Sequence, residues 1–434
     1  MAVEHSLANA PTDAGRWMVV FLGFLTLAFA FSVRGSLSLV LPAWQAEFGW
    51  SRSAISGIAA IALLVMATVA PFAGHLVDRH GSRPLLIGGL AAIGLGVVMI
   101  IRAHPGTSAW LLPLGFAGVA AIGFGTIAQH VIAAAIAQRF DRHRGLATGI
   151  GTAGSTAGQL LLMPLLALLM QGGQWRSAFW LLALGCFALI PIAWLMLRGP
   201  VGPRSVQSVA ADAHERGASV TGNLGLILRS PVFHAIFWSY AICGFTTSGV
   251  IETHLMPYAA ICGFGPVPSA TAYGVLSGLN LVGMIAAGWL SDRVHRPLLL
   301  TVIYAVRAVS FLLLMFVADD YPRLIVFAVL FGLFDYSTVP VTASYIASRL
   351  GVKVLGLSMG LLSAGHAIGG AAGAWAGGAF FDRSGSYGML WSVSIAMAIF
   401  ASTLVVGLKD EGRRILPGAK LPHAPRGSDE LPPV

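Results

Sequence analysis

The feature that most constrains this chain is its succession of long apolar runs, each near the roughly 20 residues a helix needs to cross a hydrocarbon layer. Splitting the 434 residues at charged, Gly- or Pro-containing joints gives spans 17–41, 53–73, 85–103, 109–137, 145–170, 178–197, 231–257, 269–290, 298–318, 323–347, 355–380 and 387–408, twelve in all. Only 10% of the residues are charged, where an ordinary soluble domain carries roughly a quarter. Mean hydropathy is +0.80, so a soluble core does not account for the balance. The runs lack the alternating apolar and polar pattern of a membrane barrel, and the expected class is an all-α membrane protein. The 53 glycines suit this class, because small residues let membrane helices approach closely.

The formal charge of +9 raises the question of nucleic acid, and the position of the charges answers it. They lie in the joints and form no basic patch, so no nucleic-acid partner is expected. With the N-terminus in the cytoplasm, 19 of the 26 Lys and Arg residues fall on that side and 5 on the other, leaving Arg34 and Arg307 inside spans. Lys and Arg concentrate in cytoplasmic loops, which predicts a multi-pass protein of the inner (cytoplasmic) membrane with both termini cytoplasmic. The first run, Trp17 to Leu41, exceeds a signal-peptide core and lacks a small-residue cleavage site; it is expected to remain as the first span. Cys186, Cys243 and Cys262 are far apart, without a CxxC or a partnered His, and read as apolar fillers rather than disulfide or metal ligands. No cofactor is expected.

The joint 198–230 is rich in Pro, Gly, Ser and charge and reads as a cytoplasmic linker between bundles 1–197 and 231–408. Residues 409–434, polar and Pro-rich, read as a disordered cytoplasmic tail. The two bundles repeat one another at an offset near 214: Gly74-His-Leu-Val-Asp78-Arg79 is matched by Gly288-Trp-Leu-Ser-Asp292-Arg293, and Phe31-Ser-Val-Arg34-Gly35 by Phe245-Thr-Thr-Ser248-Gly249. Later the offset is 211, with Gly145, Gly149, Gly154 and Gly158 matching Gly356, Gly360, Gly365 and Gly369. Recurrence at a fixed period signals an internal repeat. Parallel repeats of six helices suit two bundles rocking about a central site.

These residues carry a resemblance. Gly74-x3-Asp78-Arg79-x-Gly81-x-Arg83, with a weaker copy at Gly288, Asp292, Arg293 and Arg296, resembles the loop signature of the major facilitator superfamily. The resemblance implies two pseudo-symmetric six-helix bundles, a monomer, and a cavity lined by the first, fourth, seventh and tenth helices. It also implies that these residues latch the cytoplasmic face, the Asp capping backbone amides and pairing with Arg from a neighbouring helix end. The bland reading is that the charges only fix topology. More narrowly, Arg34-Gly-Ser-Leu, Glu47-Phe-Gly-Trp-Ser-Arg52, Gly332-Leu-Phe-Asp335-Tyr-Ser-Thr-Val-Pro340 and Gly365-His366-Ala-Ile-Gly369 resemble bacterial members near the monocarboxylate and oxalate/formate porters. The fourth span lacks the intramembrane Arg of proton-coupled drug antiporters, and the antiporter Gly-Pro pattern appears only as Gly154-Ser155-Thr-Ala-Gly158-Gln159. The eighth span lacks the Asp and Arg of some monocarboxylate porters and carries Asn280 instead, which speaks against lactate-like substrates.

Ionisable groups inside spans cost about 2.5–3.5 kcal/mol each on insertion scales, so each is a functional candidate. Arg34 lies about 26 Å along the first helix from Trp17 at 1.5 Å per residue. It is read as an anion site, with a gate salt bridge and snorkelling as alternatives. Glu252 and His254 fall near the outer end of the seventh span and read as a gate or a solvated interface. Arg307 and Asp335, near the middle of the ninth and tenth spans, read as a buried structural pair or a proton site. His130 and His366 are candidate proton relays or packing residues. Gln129, Ser155, Thr156, Gln159, Tyr240, Asn280, Tyr336 and Thr338 add hydrogen-bonding groups on the expected cavity helices, with helix-to-helix bonding as the bland alternative.

Arg34 and Arg307 against Glu252 and Asp335 sum to zero, so a carboxylate accompanied by one proton keeps the cavity neutral. The expected function is secondary active transport of a small organic anion in symport with H+, by alternating access; a drug or organic-cation/proton exporter is the alternative. The partners are a small-molecule substrate, a proton and the lipid bilayer. No HExxH, triad pattern or GK[ST] loop suggests an enzyme or a nucleotide-driven pump.

Overall fold

The computed structural model describes residues 13–50, 52–140, 142–170, 174–197 and 220–410, and all secondary structure among them is helical. Twelve long helices follow in order: α1 Asp13–Phe48, α2 Arg52–His80, α3 Ser82–Ile101, α4 Leu111–Ala137, α5 Arg144–Leu169, α6 Trp175–Met196, α7 over 231–261, α8 Pro266–Ser291, α9 Arg296–Leu314, α10 Tyr321–Arg349, α11 Leu355–Ser384 and α12 Gly388–Val406. Eleven of these are long and apolar enough to cross a membrane. The exception is α7, which carries Ser239, Tyr240, Thr246, Thr247, Glu252 and His254 along its length. Its polarity is the first structural sign that it faces something other than lipid.

Residues 198–219 of the expected linker lie outside the described residues, whereas Val220–Leu228 within it is a short helix. Residues 411–434 of the expected tail also lie outside them. Lys409 and Asp410 are packed onto the bundle, with Tyr345 donating to the Lys409 carbonyl at 2.9 Å and Asp410 buried against Arg296.

One hydrophobic core belongs wholly to the first six helices, with Leu22, Trp44, Leu90, Phe116 and Phe179 at its centre. Near the end of α1 Glu47 binds Trp175 Nε1 at 2.7 Å and Arg176 at 2.6 and 3.1 Å, tying α1 to the start of α6. The second half has its own cores around Tyr304 and Tyr345 and around Phe311, Phe331 and Trp391, and Ala133, Ala134 and Ala137 of α4 reach across to the former. The halves meet mainly along α2 with α11 and α5 with α8. At Gly74 and Gly356 these helices are so close that a Cβ on either would run into the carbonyl of the other, and Gly145 and Gly288 stand in the same relation. Of the glycines that recur in the two repeats, Gly74, Gly145, Gly149, Gly288, Gly356 and Gly360 are points where the halves touch, whereas Gly154, Gly158, Gly365 and Gly369 pack against a helix of their own half.

Three spans expected to be unbroken are not regular. The helix of α4 lapses at Ile127 and Ala128, the latter extended at φ −66°, ψ 144°. That of α10 lapses between Phe334 and Thr338, and α7 carries a π-helical stretch, Phe245–Ile251. Non-helical backbone at membrane depth persists only where protein or a cavity satisfies it. The irregularities of α7 and α10 meet at Arg307.

Candidate functional site

At one end of the molecule Asp78, at the close of α2, accepts the Gly356 amide at 2.7 Å and the Leu357 amide at 2.8 Å, with Gln138 Nε2 at 2.6 Å. Asp292, at the close of α8, accepts the Gly145 and Leu146 amides at 2.8 Å each. Each carboxylate thus caps the first turn of a helix in the opposite half, where unpaired amides and the positive end of the dipole favour an anion. The expected pairing of these aspartates with arginine is not found among the described residues. Arg79 is exposed, Arg83 stacks over Trp194 at 5.3 Å and Arg293 over Trp289 at 3.8 Å. Arg296 is buried and clamped by Asp410 (2.8 Å from Nε) and the Ser344 carbonyl (2.8 Å). Gly81 closes α2 at φ 77°, a conformation that costs a glycine little; its counterpart His295 instead caps Leu298 at 3.3 Å.

Deeper in, the break in α10 frees the Asp335 carbonyl and the Tyr336 amide. Arg307 Nη2 donates to that carbonyl at 2.7 Å, and the Tyr336 amide donates to Asn280 Oδ1 at 2.9 Å. The Asp335 carboxylate is fixed by Arg307 Nη2 at 3.1 Å, by the Thr247 hydroxyl, and by Asn280 Nδ2 at 3.4 Å. Arg307 Nη1 reaches Thr246 and Thr247, in the π stretch of α7, at 2.8 and 2.7 Å. Arg307 and Asp335 are 1% and 3% exposed, so this is a desolvated pair whose hydrogen bonds also hold two irregular helices.

Above this node lies a small cavity lined by Thr156 and Gln159 of α5, Ile251 and Glu252 of α7, Tyr273, Leu276, Ser277 and Asn280 of α8, and Asp335 and Tyr336 of α10. Thr156, Asn280 and Asp335 are buried, Gln159, Tyr273 and Tyr336 half-buried, and Glu252 exposed. Exposure increases away from the latched end, so the cavity opens on the opposite face. Tyr336 donates to Glu252 Oε1 at 2.5 Å. Arg34 flanks the cavity from α1: its neighbour Gly35 faces Gln159 Nε2, and its charge reaches Tyr273 and Tyr336. Its guanidinium lies 4.5 Å over the Phe31 ring, and no ion pair among the described residues engages it.

A sequence model of the Major Facilitator Superfamily matches residues 20–322. The chain belongs to the major facilitator superfamily. The chain is 27% identical over 386 residues to the uncharacterized MFS-type transporter YcxA of Bacillus subtilis, covering 88% of this chain and 92% of that one. It is also 27% identical over 405 residues to monocarboxylate transporter 13 of Bos taurus, covering 92% and 91%. Among solved structures it resembles the proton:xylose symporter XylE, at TM-score 0.70 and 15% identity over 90% of this chain and 94% of that one. It resembles the human organic anion transporter MFSD10 at 0.66 and 17%, over 91% and 100%. At such identities the structural likeness speaks for the fold alone. This major facilitator is a multi-pass membrane transporter and not an enzyme.

Of the expected substrate-binding residues in this facilitator, Asn280 and Tyr336 line the cavity and Arg34 flanks it. Gln129, Tyr240 and Thr338 lie beneath it, towards the latched end. Gln129 donates to Ser155 at 3.2 Å and touches Met284 at 3.8 Å. Tyr240 packs with His130 and His366, its hydroxyl 2.5 Å from His130 Nε2. Thr338 meets Cys243 at 3.6 Å. His130 belongs to the first half and the other two rings to the second, so the cluster closes the floor between the halves. His254 is absorbed in packing: Nε2 donates to the Ala374 carbonyl at 3.0 Å, and Tyr387 is 3.4 Å from Nδ1. Sequence reasoning did not single out Tyr273 or Ser277. They sit one turn apart on the face of α8 that also presents Asn280, and their spacing of three and seven residues from Asn280 was the available signal.

Proposed function

We propose that this facilitator moves a small organic anion bearing a carboxylate across the inner membrane by alternating access, in symport with H+. The observation that carries the reading is Arg34, whose guanidinium has no ion pair among the described residues and flanks a polar cavity whose latched end is closed. Guanidinium presents a planar fork that matches a carboxylate. The names of relatives, monocarboxylate transporter 13 among them, agree with that chemistry. Charge counting supports the proton, because the four ionisable groups around the cavity sum to zero and an anion alone unbalances them. The bundles 1–197 and 231–408 act as the rocking halves. The positive-inside asymmetry assigns the latched face to the cytoplasm together with both termini; reporter fusions at residues 215 and 434 are expected to read cytoplasmic.

The test is uptake into proteoliposomes of radiolabelled formate, pyruvate, lactate and oxalate, with and without an inward proton gradient. At least one is expected to accumulate with the gradient. Arg34→Lys keeps the charge and loses the fork, so it weakens binding; Arg34→Ala nearly abolishes it, by about 2–5 kcal/mol if the carboxylate is desolvated on Arg34. Parental affinity in folded Arg34→Ala removes the anion site from Arg34.

A further inference from the structure

We propose that Gln159, Tyr273 and Ser277 form a neutral polar subsite that reads a second, uncharged hydrogen-bonding group on the substrate. The facilitator then prefers carboxylates that also carry a hydroxyl or an amide, over alkyl carboxylates and over dicarboxylates. This rests on the anion reading of Arg34 and adds to it what the rest of the substrate must offer.

The polar groups of the cavity wall divide by what already engages them. Asn280, expected from the sequence to bind substrate, is committed to the α10 break: Oδ1 takes the Tyr336 amide at 2.9 Å and Nδ2 donates to Asp335 at 3.4 Å. Both Asp335 oxygens are occupied, one by Arg307 and Thr247 and the other by Asn280. The Tyr336 hydroxyl donates to Glu252 at 2.5 Å, and the Thr156 hydroxyl lies 4.0 Å from the Met284 sulfur. The side chains of Gln159, Tyr273 and Ser277 line the same cavity, are half-buried, and make no hydrogen bond to any described residue. Polar groups away from bulk water are nearly always paired, so in an open cavity these three are served by water and in a loaded one by ligand.

Their placement suits a single ligand group. Tyr273 and Ser277 are neighbours one turn apart on α8, in the second half. Gln159 comes from α5 in the first half, and α5 packs against α8 along a seam between the halves. Gln159 Nε2 is 3.9 Å from where a Cβ on Gly35 would lie, and Gly35 follows Arg34, so the subsite adjoins the anion site. One carboxamide and two hydroxyls offer both donors and acceptors and no charge. The acidic groups whose fields reach Tyr273 are Glu252 and Asp335. They oppose a second carboxylate here, and the Arg34 charge that also reaches Tyr273 is met by the first. When the mouth closes on an alkyl chain, water leaves and three polar side chains lose their partners. A hydroxyl or an amide replaces that water. A site built to hydrogen-bond a group rejects the analogue lacking it far more strongly than an apolar pocket rejects a methylene.

The test is equilibrium binding of matched radiolabelled carboxylates to the purified full-length transporter at neutral pH. The series are propionate, glycolate and oxalate; butyrate, malonamate and malonate; and valerate, succinamate and succinate. In each the second group is an alkyl end, a neutral polar group or a second carboxylate, and reach increases from series to series. In at least one series the neutral polar member is expected to bind about tenfold or more tighter than both others. Tyr273→Phe, Ser277→Ala and Gln159→Met are each expected to bring the polar-to-alkyl ratio severalfold towards one. They are also expected to melt with the parent, because no hydrogen bond within the protein is lost. Asn280→Leu is expected instead to lower the melting temperature and to weaken polar and alkyl members alike. Alkyl members that bind as tightly as polar ones throughout, or a dicarboxylate that binds tightest, overturn the proposal and leave the anion reading intact. A parental ratio in all three subsite variants overturns it as well. If no member binds the parent, or if Arg34→Ala binds them as the parent does, the anion reading falls first and the proposal with it.

Discussion

Arg307 illustrates how one side chain makes an irregular backbone tolerable. Its two terminal nitrogens bridge the carbonyl freed at Asp335, the Asp335 carboxylate, and two threonine hydroxyls in the π stretch of α7. Its Nε, buried, has no hydrogen-bond partner among the described residues, which marks the pair as held by the fold more than optimised within it. Removing one member of a buried pair leaves the other uncompensated and costs about 3–5 kcal/mol. Arg307→Met is therefore expected to lower the melting temperature in detergent markedly. Arg307→Met with Asp335→Leu is expected to recover part of the loss, because no lone carboxylate remains. A single variant that melts with the parent assigns the stability elsewhere and returns Asp335 to the proton-site reading.

At the scale of elements, the repeat was legible because it rests on contact geometry that only small residues allow. Gly74 and Gly288 could be read from their offset, and the structure shows why: each lies against the backbone of a helix in the other half. Gly74→Ala is expected to force α2 from α11 and raise labelling of cysteines introduced at the latched face. Gly378→Ala, where a Cβ meets nothing, is the matched control. Equal labelling in the two variants means that the close approach does not hold the halves together. The break in α4 was not legible, whereas that in α10 had a signal in Pro340, which cannot donate to the Tyr336 carbonyl and crowds it; what could not be read was how the α10 break is satisfied, because Arg307 and Asn280 are 28 and 56 residues from the positions they serve. Asp335, read from the sequence as a buried pair with Arg307 or a proton site, has both carboxylate oxygens engaged, while Glu252, read as a gate or a solvated interface, lines the cavity and is exposed.

The molecule as a whole is two bundles joined by a pair of pseudo-symmetric caps, and its conformational balance follows from them. Asp78 and Asp292 each accept two amides at the start of a helix in the opposite half, so each charge is satisfied only while the latched face is shut. Opening that face exposes both carboxylates to water and leaves two helix starts without caps. Asparagine has one acceptor oxygen, and its amide nitrogen cannot accept a backbone N–H. Each Asp→Asn change therefore loses at least one charged hydrogen bond, worth about 1.5–3 kcal/mol. Asp78→Asn and Asp292→Asn are expected to shift the population similarly towards the form open at the latched end. The double variant shifts it by about 3–6 kcal/mol, adding as independent sites do. The readout is cysteine accessibility near the latched ends of α2 and α8, compared with accessibility of Ser277→Cys at the other mouth. One must rise as the other falls if the bundles rock as units. A rise at the latched end with no fall at Ser277 means that local fraying has been measured. Unchanged labelling at both ends means that the aspartates fix topology alone.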